Sequence, residues 1–262
     1  MAASNLKATG YAETLSKVPA ITIGFWAIKI LATTLGETGG DTLSMTFDLG
    51  YLVSTFIFLP LLIVLFTAQI AAKSFKPWLY WATILASTTA GTTIADFVTR
   101  SLGIGYAGGS LLLLALVLGS LAAWKYTLGA ISADDVSSPK AEIFYWVTIT
   151  FSQTLGTALG DWVADTPGVG YLGAAALFAG LLAVTALLYY ATSLSRVLLF
   201  WAAFILTRPL GATVGDFLDK PLDKGGLDLS RPMASLVLAS VIAVLIWLLP
   251  QRAGGHSKSS EI

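Results

Sequence analysis

Five carboxylates stand inside otherwise apolar stretches of the chain: Glu37, Asp41, Asp96, Asp161 and Asp216. Oxygen donors of this kind suit hard cations such as magnesium, calcium or manganese, and equally a migrating proton. Acids at membrane depth cost about 2.5–3.5 kcal/mol each on insertion scales and commonly mark ion or proton pathways. Glu37 precedes Asp41 by four residues, which puts both on one helical face. Two bases, Lys29 and Arg208, lie in the same kind of surroundings, with Gln153 at the position that corresponds to Arg208 one repeat earlier. Five acids against two bases leave an acidic excess, which favours a cation over an anion as solute. Lys29 or Arg208 would modulate that charge, pairing with a carboxylate until an arriving cation displaces it. A static buried pair that only holds helices in register is the equal alternative. The chain has no cysteine, and its one histidine, His256, lies in the polar C-terminal tail, so thiol chemistry, His-dependent catalysis and His-ligated zinc or haem are set aside. No cofactor is expected.

The elements that must position these side chains are apolar helices. Of 262 residues 56% are hydrophobic and 11% charged, less than half the roughly 25% charge of a soluble domain, and the mean hydropathy is +0.79. This composition is that of an integral membrane protein with the lipid bilayer as its first partner. A net charge of zero removes the electrostatic footprint of a nucleic-acid binder. Eight stretches reach the ~20 apolar residues that a spanning helix needs, at about 18–38, 50–70, 77–98, 106–126, 142–162, 170–191, 196–217 and 232–250. Continuous apolar runs such as Leu111 to Leu118 favour helices over the alternation of barrel strands. The N-terminus, polar through Lys17, does not read as a cleaved signal peptide. Lys7, Lys17, Lys73, Lys76, Lys125, Lys140, Arg196, Arg252 and Lys258 collect on one side, and Arg100, Lys220, Lys224 and Arg231 on the other. Basic loops mark the cytoplasm, so both termini are expected there.

The strongest pattern is internal. A unit recurs four times, beginning Phe25-Trp26, Tyr80-Trp81, Tyr145-Trp146 and Phe200-Trp201. Ten residues after each tryptophan stands Gly36, Gly91, Gly156 or Gly211, and fifteen after it Asp41, Asp96, Asp161 or Asp216. A further glycine, Gly50, Gly105, Gly170 or Gly225, follows each aspartate by nine and should mark the turn into the next helix. Small residues at Gly36/Gly40, Gly91/Ala95, Gly156/Gly160 and Gly211/Gly215 let helix backbones approach closely. Threonines flank them, among them Thr33, Thr88, Thr92, Thr154, Thr157 and Thr213. Each repeat holds a polar helix and then an apolar one, so the four are parallel in topology and related by an axis along the membrane normal. Spans 1, 3, 5 and 7 should face inward, and spans 2, 4, 6 and 8 the lipid. The four tryptophans are read as interfacial anchors near the cytoplasmic helix ends, and Pro60 and Pro209 as kink positions.

In this eight-span setting, Thr34 to Asp41, Thr89 to Asp96, Thr154 to Asp161 and Pro209 to Asp216 give the chain its likeness. It resembles a bacterial integral-membrane family defined by a fourfold repeat of unknown function, over about residues 20–250. The resemblance implies the fold and a bacterial inner-membrane location rather than an activity. A weaker likeness is to calcium and manganese exporters that carry a Glu, one residue, Gly, Asp motif. Glu37-Thr38-Gly39-Gly40-Asp41 has one residue more, and Thr92, Thr157 and Ala212 stand where Glu37 does.

The expected organisation is an all-α polytopic membrane protein of four parallel two-helix repeats in a pseudo-symmetric bundle. A cytoplasmic tail (1–18) leads to membrane half 1 (19–130), and a polar linker (131–141) joins it to half 2 (142–250) and a cytoplasmic tail (251–262). The leading functional reading is a transporter or exporter of a small cation, a divalent manganese-like ion included, with Glu37, Asp41, Asp96, Asp161 and Asp216 as ion or proton sites. The alternative is a non-transporting scaffold or sensor whose aspartates cap helices. An intramembrane aspartyl enzyme ranks below both, because four symmetric acids fit an ion path better than an asymmetric dyad. The chain is expected not to be an enzyme, and association into a homo-oligomer is left open.

Overall fold

The computed structural model describes residues 16–131, 136 and 138–254. Lys7, His256, Lys258, most of both tails and part of the 131–141 linker lie outside these residues. The described chain is all-helical, with no named strand among the described residues. Eight long α-helices follow one another as α1 (Ile23–Asp41), α2 (Gly50–Ala71), α3 (Pro77–Asp96), α4 (Gly105–Leu128), α5 (Pro139–Ala164), α6 (Gly170–Ala191), α7 (Arg196–Asp219) and α8 (Arg231–Leu248). α1 and α3 each run on into a five-residue π-helical turn, Thr42–Thr46 and Phe97–Ser101.

Local chemistry sets the helix starts. The side chains of Thr22, Ser138 and Ser195 accept from the backbone N–H groups of Phe25, Ala141 and Leu198, which satisfies donors that a helix N-terminus leaves free. Pro77 and Pro139 open α3 and α5, where a missing N–H costs nothing. The recurring glycines after the aspartates all have positive φ, 72° at Gly50, 72° at Gly105, 66° at Gly170 and 81° at Gly225. Side chains rarely adopt that conformation, so the glycines fix the reversal that leads from each inner helix toward the next. Pro60 and Pro209 both lie within helices.

Two layers result. α1, α3, α5 and α7 form a closed ring in which each packs on the next and α7 returns to α1. α2 covers α3, α4 covers α5, α6 covers α7 and α8 covers α1. The apolar helix of one repeat therefore clothes the polar helix of the next, and the four units interlock around the ring. Close approach explains the first recurring glycine. A Cβ added at Gly36 would lie 2.1 Å from Thr88 Oγ1, at Gly91 3.1 Å from Gln153 Cβ, at Gly156 2.3 Å from Arg208 Cγ, and at Gly211 2.1 Å from Thr33 Oγ1. Each glycine receives the residue seven after the tryptophan of the following repeat.

Burial divides the same way. Eleven of the nineteen α1 residues are buried, and α2 buries only Ser54, Leu62 and Gln69. α2, α4, α6, α7 and α8 are long and apolar enough to cross a membrane. The outer helices display Phe56, Leu111, Leu118, Leu187, Leu236 and Val244 to the outside, an apolar exterior of the kind that faces a membrane or a partner.

Candidate functional site

The register of the ring places side chains in layers four residues apart, about 6 Å at 1.5 Å per residue. The tryptophans, expected as interfacial anchors, are instead mostly core. Trp81, Trp146 and Trp201 are buried, while Trp26 is half-buried against Phe25 and Phe200. Tyr80, Trp81, Tyr145, Trp146 and Trp201 meet edge to face or tilted, with centroids 5.3–6.1 Å apart, and the Tyr80 and Tyr145 hydroxyls meet at 2.8 Å. Each aromatic pair meets the pair of the neighbouring inner helix, Phe25 with Trp81 at 5.6 Å, Tyr80 with Trp146 at 5.5 Å, Tyr145 with Trp201 at 6.1 Å and Phe200 with Trp26 at 5.9 Å. The aromatic residues close one end of the ring.

Above this cluster lies Lys29, fully buried. Its Nζ is 3.5 Å from Gln153 Oε1 and 4.2 Å from the centre of the Phe204 ring, with no carboxylate within ion-pair distance among the described residues. The expectation that either intramembrane base could pair with an acid holds for Arg208 and not for Lys29. Arg208 Nη2 donates to Glu37 Oε2 at 2.9 Å and lies 2.6 Å from both Thr92 Oγ1 and Thr157 Oγ1. Glu37, Thr92, Thr157 and Ala212 are the four equivalent residues of the next layer. Repeat 4 contributes the small Ala212 there, and its own Arg208, one turn earlier, reaches across to the other three.

The aspartates form the last layer, all 1–3% exposed, and cations hold them in two sets. Arg100 pairs through Nε with Asp96 Oδ1 at 2.9 Å and through Nη2 with Asp161 Oδ2 at 2.9 Å. Lys220 pairs with Asp216 Oδ1 at 2.8 Å and Asp41 Oδ2 at 2.5 Å. Arg100 and Lys220 each follow their own aspartate by four residues, in repeats 2 and 4, and each reaches the aspartate of the following repeat. The two clamps are thus related by a pseudo-twofold axis that exchanges the halves of the chain. Arg231 adds a pair with Asp219 Oδ2 at 3.3 Å and approaches Asp41 at 3.9 Å. Burial works against the charge on Lys220, but Asp216, Asp41 and Asp219 together hold its ammonium well above the usual lysine range.

Of the five acids expected to bind an ion, three come together. Glu37, Asp41 and Asp216 each offer an oxygen, and these lie within 4.8 Å of one another. Asp96 and Asp161 are joined by Arg100 instead. Asp41 and Asp96 give no side-chain cap to the π-helical turns they precede, and the carboxylates are engaged by cations. Arg100, Lys220, Arg231 and Asp219 were not foreseen as part of the site. With them included, six acids face five bases, and the acidic excess of three charges read from the spans shrinks to one charge. The ring carboxylates are 1–3% exposed, and neither an apolar groove of about 440 Å³ beside Leu35, Phe58 and Leu236 nor a cavity of about 760 Å³ beside Trp26, Tyr189 and Arg196 is lined by any of them.

A family model described as Repeat of Unknown Function (DUF347) matches residues 24–75, 79–130, 144–195 and 199–253. Each match runs from an inner helix through the outer helix that follows it. No curated protein and no solved structure matches the chain.

Proposed function

The chain belongs to that repeat family, and on this premise we propose that it is an eight-span membrane protein that carries a small cation, a divalent manganese-like ion included, through its axial carboxylates. The reading places both termini in the cytoplasm of a bacterial inner membrane, with the aromatic end of the ring inside and the aspartate end outside. α1, α3 and α5, whose polar faces are turned into the ring, cross beside the five plainly apolar helices. The observation that carries it is the buried cluster of Glu37, Asp41 and Asp216, three carboxylates within 4.8 Å with an ammonium already among them. Such a concentration of acid is expensive in apolar surroundings, and a cation-exchange site accounts for the expense. The solute passes as cargo and no bond is made or broken, so the protein is no enzyme. The arrangement described is then a closed state, with the aromatic cluster shutting the inner end and Lys220 filling the three-carboxylate cluster at the outer one.

A second reading has its own support. Because every ring aspartate already has a cation, the same geometry suits a non-transporting scaffold or sensor in which ion pairs hold four repeats in register. Reconstituted wild-type protein and the single variants Asp41→Asn, Asp96→Asn, Asp161→Asn and Asp216→Asn separate the two. The transport reading expects manganese, magnesium, calcium or proton flux in proteoliposomes, reduced at least tenfold by Asp41→Asn and Asp216→Asn in protein that remains folded. No flux from wild type, with the variants altering thermal stability alone, would establish the scaffold.

A further inference from the structure

The two clamps are alike in position and unlike in chemistry. Arginine presents a planar fork that binds two carboxylates in fixed geometry, whereas lysine is a compact point charge on a flexible stem. Arg100 uses two different nitrogens for Asp96 and Asp161, and its guanidinium sits 5.7 Å over the Tyr106 ring. Lys220 holds Asp41 and Asp216 through one atom, Nζ. Only the lysine clamp adjoins Glu37 to make the three-carboxylate cluster. In that cluster Asp41 Oδ1 is buried and accepts no hydrogen bond, an oxygen left over for an ion.

We infer that Lys220 is a tethered stand-in for the transported cation, one that vacates the Glu37–Asp41–Asp216 cluster when the free ion arrives, while Arg100 is a fixed brace across Asp96 and Asp161. The inference rests on the transport reading and makes the ring functionally two-sided: one half exchanges, the other holds. Only the Lys220 side chain need move. Its backbone N donates to Asp216 O, and its carbonyl accepts from Asp228 N, both at 2.9 Å. The chain folds back so tightly that a Cβ on Gly226 would lie 2.0 Å from the Lys220 carbonyl oxygen. A displaced ammonium has somewhere to go. Asp219 Oδ1 is 3.8 Å from Nζ in the present position, and the C-terminal end of α7 itself favours a cation. A built-in competitor lowers apparent affinity by the fraction of time it occupies the site, which allows the ion to be released as well as bound.

The test is manganese binding to the full chain in detergent, read from the tryptophan-monitored unfolding midpoint, for wild type, Lys220→Gln, Lys220→Arg and Arg100→Gln. Lys220→Gln should reach its half-maximal shift at a manganese concentration at least tenfold below that of wild type. Arg100→Gln should stay within twofold of wild type. Lys220→Arg, which puts a fixed fork in the cluster, should need at least tenfold more manganese, and it keeps the test open if the glutamine variant does not fold. Equal half-saturation in wild type and the Lys220 variants would overturn the inference, as would a manganese response gained equally by Arg100→Gln. No response in any of the four proteins also overturns it. The proteoliposome flux then decides the transport reading separately, because flux from wild type with no effect of Lys220 substitution leaves transport standing without the tethered cation.

Discussion

At one end of the inner ring, Tyr80, Trp81, Tyr145, Trp146 and Trp201 close the axis with ring faces and edges. At the other, fifteen residues further along the same four helices, Asp41, Asp96, Asp161 and Asp216 close it with carboxylates held by Lys220 and Arg100. Both ends are buried and both come from the same repeat. They differ in what a substitution leaves behind. The aromatic rings carry no charge that needs a counter-ion, so the first end suits permanent closure. A layer of charges is stable only while each has its counter-charge, and a counter-charge is something another ion can replace. On the proposed transport reading, the difference assigns stability to one end and exchange to the other.

The sharpest way to break that division is to weaken the aromatic end. Trp81→Ala removes a fully enclosed indole, together with its hydrogen bond to Gln251, and should cost about 3–5 kcal/mol in reversible unfolding. In protein that stays folded, the manganese half-saturation should be unchanged; a large shift would show that the two ends are not separable. A somewhat smaller effect is expected between the ends, where Glu37→Gln leaves the Arg208 guanidinium fully buried without its counter-charge. Breaking a buried pair costs about 3–5 kcal/mol, and the retained amide oxygen keeps this variant near the low end, at about 3 kcal/mol. The double variant Glu37→Gln, Arg208→Met should recover most of the loss, since removing both partners is often close to neutral. Recovery measured by chemical denaturation would mark Arg208 as the counter-charge of Glu37 and no more. Failure to recover would tie Arg208 to Thr92 and Thr157 instead.

These contrasts were unevenly legible in the sequence. The tryptophan, glycine and aspartate spacings gave away the repeat, the inward set of helices and the acids, because four parallel copies repeat any demand the axis makes. What a single copy carries was harder to see. Arg100 and Lys220 were counted as loop charges on the far side, although each stands four residues beyond its aspartate and so shares its helical face. That i,i+4 offset, present in repeats 2 and 4 and absent in 1 and 3, was the available signal for the twofold pairing. Arg208 was visible as an odd charge, but its reach depends on Ala212 being small one layer higher, a compensation between repeats that no single helix displays. The tryptophans were misplaced because amphipathic aromatic rings near helix ends usually anchor to the interface, and only ring closure turns them inward. That α2 clothes α3 and α8 clothes α1 could not be read at all, since apolar outer helices carry no mark of which neighbour they cover.

The smallest expected effect tests the aromatic end most finely. The Tyr80 and Tyr145 hydroxyls lie 2.8 Å apart in an otherwise apolar cluster, with Tyr80 fully buried. A buried hydroxyl needs a partner, and removing one member of a hydrogen-bonded pair costs about 1 kcal/mol on average, the remaining group being left in place. Tyr80→Phe should therefore lower the unfolding free energy by about 1 kcal/mol, with the ring contacts to Trp81 and Trp146 kept. Cation flux at saturating ion should be unchanged if the aromatic end is a passive seal. Should Tyr80→Phe instead alter the pH dependence of flux while leaving stability alone, the paired hydroxyls would be part of the path, and the division between a sealing end and an exchanging end would have to be redrawn.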